Sequence, residues 1–299
     1  MAGGSEFLLE RRQDRPRFEL STAVLLSLPA GFLFFLFIGP ILYALYLGFT
    51  NLQLIGPHAQ TWWFTGLANP RRLMHDAIFF RSIKLTLIFV VGSGILGQTL
   101  VGLILALLMR RCLAPIRLSV GALVVAAWVM PEVTAAFIWY AFSQAGGTLG
   151  ILLGAPRTNF LFSAPMATVS AANLWRGAAF SMLVFSAALR NVPTEVLEAA
   201  DVEGASRLQR LWSITLPLLG PTIITNLLLV TILNLSDFTL IYTLTQGGPG
   251  TATMTLPIYI YQEAFTYYDL GYGTTISLVL ILIGAVLSLL FVRQVRAET

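Results

Sequence analysis

Apolar residues in this chain gather into six long runs, roughly 21–49, 83–109, 119–142, 166–189, 220–244 and 274–292. A membrane's hydrocarbon core takes about 20 consecutive apolar residues at 1.5 Å rise each. Each run therefore predicts a membrane-spanning helix. The first is too long for a signal-peptide core and lacks a small-x-small cleavage site, so it is expected to be retained. The pattern divides the chain into an N-terminal tail, 1–20, a six-span region, 21–292, and a C-terminal tail, 293–299. No repeat or low-complexity tract stands out.

Six spans place both termini on one side, and the distribution of arginine says which. With the N-terminal tail inside, Arg11, Arg12, Arg15, Arg17, Arg110, Arg111, Arg117, Arg190, Arg207, Arg210, Arg293 and Arg296 all fall inside, twelve of the eighteen basic residues. Arg71, Arg72, Arg81, Lys84 and Arg157 fall outside, and Arg176 lies within a span. The expectation is a multi-pass cell-membrane protein with both termini and the 190–219 segment cytoplasmic. Segments 50–82, 143–165 and 245–273 would then be external. The last opens on a Gly-Pro-Gly turn and continues into closely spaced aromatics, which suit the membrane interface.

Composition agrees: 57% of residues are hydrophobic and 11% charged, with a mean hydropathy of +0.79, against about 25% charged in soluble proteins. The net charge of +4 does not indicate nucleic acid, because the basic residues are scattered among apolar runs and form no continuous face. Cys112 is the sole cysteine, which excludes an internal disulfide. With only His58 and His75 beside it, no Cys/His ligand spacing for a metal arises. No metal, cofactor or redox chemistry is expected of this chain.

The polar connection "EAADVEGASRLQRLWSITLPLL" reads as two short capped helices. Val196, Leu197 and Ala200 form a narrow apolar stripe opposite Glu195, Glu198 and Asp201. Gly204 stands where a left-handed residue would close that helix. Ser206-x-x-Gln209 has capping-box spacing for a second helix, whose less polar face would be Leu208, Leu211, Trp212 and Thr215. Pro217 would end it, and Pro221 suits the first turn of the next span. Two helices about a glycine elbow make a rigid body, and a larger residue at Gly204 is expected to jam it. An amphipathic helix resting on lipid headgroups is the simpler reading, but Glu195, Glu198, Asp201 and Glu203 would be repelled by anionic lipid. A cytoplasmic protein partner fits better.

Glu198-Ala199-Ala200, three residues, Gly204, nine residues, then Ile214-Thr215-Leu216-Pro217 resembles the EAA loop of binding-protein-dependent ABC importer permeases. The match departs from the commoner pattern by Glu203 where Asp is usual and by smaller residues near Leu208 and Leu211. The "DFTLIYTLTQGGPG…TLPIYIYQEAF…DLGYG" stretch is similar to the carbohydrate-uptake branch of maltose and glycerol-phosphate permeases. The resemblance implies an all-α membrane protein with six transmembrane helices in the type I ABC importer permease fold. It implies that Glu198, Ala199, Ala200, Asp201, Gly204, Ala205, Arg207, Ile214, Leu216 and Pro217 dock on an ATP-binding subunit. The implied partners are a second homologous permease, two ATP-binding subunits and an extracytoplasmic solute-binding protein, with ATP and Mg held by the ATPase.

A P-loop needs G-x-x-x-x-G-K-[ST]. The one lysine, Lys84 in "RSIKLT", has neither glycine, so ATP hydrolysis belongs to a separate subunit. Within the spans stand Glu132, Arg176, Asn234 and Asp237; a charge there costs about 2.5–3.5 kcal/mol on the insertion scale. Two readings stay open. Arg176 neutralises Glu132 or Asp237 and locks helices together, or these groups line a water-filled pathway where they, with Trp139, Trp175, Asn234 and Tyr242, bond sugar hydroxyls and stack on sugar faces. Gly92, Gly94 and Gly97 favour close helix packing, and Pro131 favours a kink. Two rivals to an ATP-driven importer are an ion-coupled secondary transporter using Glu132 and Asp237, and a membrane assembly protein.

Overall fold

The computed structural model describes residues 20–298, so the arginines of the N-terminal tail, Arg11 to Arg17, lie outside the described residues. Among the described residues the chain is helical, with an isolated antiparallel bridge between Thr50 and Phe64 and no other strand pairing. Two compact units are present, Met1–Tyr46 and Leu47–Thr299. Helix α1 (Leu20–Leu47) supplies the described residues of the first, up to Tyr46, and carries Pro29 and Pro40 in its interior.

In the second unit, α2 (Ala77–Arg111) is 35 residues long, starting six residues before the apolar run. Asp76 explains the early start: its carboxylate accepts from Ile78 N at 2.8 Å and Phe79 N at 3.2 Å, satisfying two of the orphan amides of the first turn. Within α2, Val90–Gln98 winds as a π-helix. The third apolar run is broken: α3 (Ala114–Val129) and α4 (Glu132–Ser143) meet at 105°. Met130 and Pro131 are extended at the break, where Pro131 lacks the N–H needed to carry the helix on. Glu132, expected mid-span, thus opens α4.

Helix α5 (Pro165–Arg190) is continuous over 26 residues. The joint follows as α6 (Thr194–Val202) and α7 (Arg207–Leu218), the latter with a π-helical turn at Leu211–Thr215. Helix α8 (Gly220–Leu235) leaves α7 at 66°. It stops at Ser236, so the fifth run is also broken, resuming as α9 (Thr239–Thr245). After α10 (Leu256–Tyr261) the chain closes with α11 (Leu270–Glu298). By length and composition three helices among the described residues could cross a membrane, or up to five if each bent pair counts as one span. The remaining run is α5, long enough but less apolar because Asn173, Arg176 and Ser181 interrupt it.

Lipid tails are as apolar as leucine, so helix association in a bilayer rests on close packing and buried polar contacts. The α2–α5 interface uses both. A Cβ on Gly102 would run into Ser181 and the main chain of Met182, and Ala106, Ala178 and Ala179 are buried beside it. Gly94 and Gly97 also serve close approach: Cβ atoms there would stand 3.0 Å from the Asn234 amide and 3.1 Å from Leu174. Gly92 meets nothing within 4 Å, so packing does not account for it.

Candidate functional site

The joint is built locally. Helix α6 closes in a paired-bond terminus: Ala205 N donates to Ala200 O at 2.9 Å and Gly204 N to Asp201 O at 3.1 Å, with Gly204 at φ +78°. Two residues later Ser206 Oγ accepts from Gln209 N at 3.3 Å, while Gln209 Oε1 accepts from Ser206 N at 2.8 Å, forming the capping box of α7. An Arg210–Asp201 ion pair bridges the elbow. These contacts fix the angle between α6 and α7. The expected steric jam at Gly204 does not hold, because a Cβ there would meet nothing within 4 Å; what the position demands is its left-handed backbone.

Of the joint residues, Ala200 is buried and Ile214, Leu216 and Ala205 are half-buried, while Glu198, Ala199, Asp201, Gly204, Arg207 and Pro217 are exposed. Thr215 is buried, but Leu208 and Trp212 are about two-thirds exposed, at 66% and 65%. The expected less polar face of α7 is thus divided between an inward and an outward side. The outward side presents uncovered apolar surface beside the acidic α6.

Helix α8 leads from the joint to a cavity of about 450 Å³. Four sequence candidates line it: Glu132, Arg176, Asn234 and Asp237. Arg176 Nη2 stands 2.9 Å from Glu132 Oε1. Asp237 sits in the non-helical link between α8 and α9. Its Oδ1, like Arg176 Nε, is buried without a hydrogen-bond partner among the described residues. Trp128 and Phe180, ring centroids 5.9 Å apart, supply aromatic wall.

Trp139, Trp175 and Tyr242 do not line this cavity. The two tryptophans pack on each other at 6.3 Å, and Trp175 faces a different, apolar groove. Tyr242 stacks on Phe238 at 4.9 Å and meets Tyr261 edge-on at 5.0 Å.

The floor of the cavity is an amide network that charge alone did not single out. Asn173 Nδ2 donates to Ser93 Oγ at 2.8 Å and to Asn234 Oδ1. Gln98 and Asn234 exchange side-chain hydrogen bonds at 3.3 Å, Gln98 also donates to Asn173 O at 3.2 Å, and Asn234 to Val230 O at 2.7 Å. Three helices, α2, α5 and α8, are thereby tied at one level. Ser93 and Gln98 lie in the π-helical stretch of α2, a local widening frequent at functional sites. The available signal was three carboxamides within apolar runs, each expensive in hydrocarbon unless paired.

The end of α2 away from the joint carries a second polar cluster. Asp76 accepts from the hydroxyls of Tyr259 and Tyr272. Arg72 lies over the Tyr272 ring, 3.7 Å from its centroid, and pairs with Asp269 at 2.6 Å and Glu263 at 3.4 Å. Burial alone would raise the Asp76 carboxyl, yet the two hydroxyls and the amides of Phe79 and Ile78 hold it below the usual carboxylate range. Burial pushes Glu263 up, only partly offset by Arg72.

Residues 98–297 match the family model "Binding-protein-dependent transport system inner membrane component". The chain is 33% identical to the sulfoquinovosyl glycerol transport system permease protein SmoG of Agrobacterium fabrum, over 92% of this chain and 91% of that one. It is 37% identical to the trehalose/maltose transport system permease protein MalF of Thermococcus litoralis, over 70% and 72%. Among solved structures, a chain of a bacterial alginate ABC transporter, in complex with an alginate pentasaccharide-bound periplasmic protein, superposes with a TM-score of 0.74 at 24% identity, over 92% and 93%; this likeness carries the type I importer permease fold. The chain belongs to the family of binding-protein-dependent transport system inner membrane components, non-catalytic permease subunits of ABC importers that work with a separate ATPase.

Proposed function

We propose that this chain imports a carbohydrate or carbohydrate derivative as one of two homologous permease subunits. It would work with two ATP-binding subunits and an extracytoplasmic solute-binding protein, with both termini and the α6–α7 joint in the cytoplasm. One observation carries this reading: joint and cavity are the two ends of a single lever. Helix α7 feeds α8 through one 66° bend, and the far end of α8, 16 residues or about 24 Å away, delivers Asn234 to the cavity, with Asp237 in the link just beyond it. A push on Glu198–Pro217 by a closing ATPase dimer would move these cavity residues with it, the element alternating access requires.

The cavity chemistry suits a polyol. Unpartnered polar atoms on Asp237 and Arg176 and the carboxamides nearby offer donors and acceptors, and Trp128 and Phe180 offer ring faces. Carbohydrate transport in the named relatives supports the class of cargo. The test is uptake into proteoliposomes holding the assembled complex. Transport that requires ATP and binding protein and survives an uncoupler is expected; loss with the uncoupler would instead make Glu132 and Asp237 ion sites. Wild-type uptake rates in an assembled Asp237→Ala complex would remove the cavity from the pathway.

A further inference from the structure

Three arginines stand at one end of three packed helices: Arg110 in the last turn of α2, Arg117 in the first turn of α3 and Arg190 at the last residue of α5. All three line one cavity of about 660 Å³. Toward the helix interiors its walls turn apolar, with Met109, Gly121, Ala122, Val125 and Leu183. Gly121 keeps the groove open, since a Cβ there would stand 3.1 Å from the methyl of Met109. No carboxylate lines it, and none of the three arginines forms an ion pair among the described residues.

Cations in the last turns of α2 and α5 complement helix C-termini, which accounts for Arg110 and Arg190. Arg117 is different: in the first turn of α3 the helix dipole disfavours it. Three like charges around one groove, with an apolar floor running into the membrane, call for an amphiphile with an anionic head. A soluble anion could use the arginines but not the walls. We propose that this groove between α2, α3 and α5 binds an anionic glycerophospholipid, its phosphate held by Arg110, Arg117 and Arg190 and one acyl chain lying along Gly121, Val125 and Leu183. Arg110 also lines the adjoining cavity with Arg207 and Leu211 of α7, so the bound headgroup abuts the joint.

The purified transporter complex, stripped of lipid and titrated with dioleoyl-phosphatidylglycerol or dioleoyl-phosphatidylcholine, tests this by native mass spectrometry. Wild type should retain phosphatidylglycerol in preference to phosphatidylcholine. The triple variant R110Q/R117Q/R190Q should bind it about a hundredfold more weakly. Ala122→Trp, at an exposed position, should block the groove while leaving every charge in place. It decides the matter if the triple variant fails to assemble. Equal retention of the two lipids by wild type, or undiminished phosphatidylglycerol binding by Ala122→Trp, overturns the proposal. So does cross-linking of Ala122→Cys to the second permease subunit in place of labelling by a photoreactive phosphatidylglycerol, since the groove is then a subunit interface.

Discussion

Gly177 of α5 faces Gln98 of α2 so closely that a Cβ at 177 would overlap the Gln98 carboxamide. The smallest residue at 177 is what lets Gln98 reach both the Asn173 carbonyl and Asn234. Gly177→Ala should therefore displace Gln98 and destabilise the bundle by about 1–3 kcal/mol, read as a lower melting temperature of the purified complex. Adding Gln98→Ala relieves the overlap, and the double variant should recover part of the loss. A Gly177→Ala complex as stable as wild type would show that α5 can slide away at no cost.

The Arg176–Glu132 pair ties α5 to the start of α4 across the broken third run. Removing one partner of a fully buried pair costs about 3–5 kcal/mol and removing both is much less harmful; this pair is half-buried, so the single losses should fall below that range in the same order. Arg176→Met should be the worst single change, because it leaves two carboxylates, Glu132 and Asp237, in the cavity without their cation. Arg176→Met with Glu132→Gln should assemble better than Arg176→Met alone. Measuring complex yield and melting temperature for the four corners of this cycle gives the coupling directly; additive losses would mean that the two groups act independently.

The parts of this architecture that rest on local chemistry were legible in the residues. Ser206, Gln209 and Gly204 carry their own capping and turn geometry, and the structure builds the joint from those same contacts. The all-α membrane class followed from apolar runs of spanning length. Pro131 marked a kink but not its size, and nothing marked the break at Ser236, because an apolar run shows length but not direction and the 105° turn depends on what α4 packs against. Trp139, Trp175 and Tyr242 looked like sugar-stacking candidates by type, yet tertiary packing gives them to one another and to Phe238. Asn234 stood out as a polar group within a span, but its network did not, because Gln98, Asn173 and Asn234 are far apart in sequence and only the fold brings them to one level.

Asp76 and Glu263 share the Arg72 cluster but should respond to acid with opposite sign. Glu263 has a folded pKa above its ordinary 4.5, so its protonation on acidification favours the folded state. Asp76 has a folded pKa below its ordinary 3.8; the stability it contributes is fully present above that value and is lost as pH falls through the folded one. Melting temperature followed from pH 7 downward should thus gain a favourable contribution from Glu263 first and lose the Asp76 contribution below about 3.8. Glu263→Gln should abolish the first change and Asp76→Asn the second. A profile unaltered by either substitution would place the pH response elsewhere.

Gly204 distinguishes a backbone requirement from a steric one. With φ at +78° and open space around a built Cβ, the cost of a side chain lies in the left-handed conformation, about 1–2 kcal/mol for an ordinary residue and less for Asn or Asp. Gly204→Val should distort the hinge between α6 and α7 most, pulling Ala205 N from Ala200 O and loosening the Arg210–Asp201 bridge. Gly204→Asn should keep the turn. Solute-stimulated ATP hydrolysis by the assembled complex is the readout. The expected order is wild type, then Asn, then Asp, whose charge joins an already acidic helix, with Val the most impaired. Were Asp to uncouple the complex while Val left it intact, the site would be sensing charge or contact with the ATPase and not the geometry of the elbow.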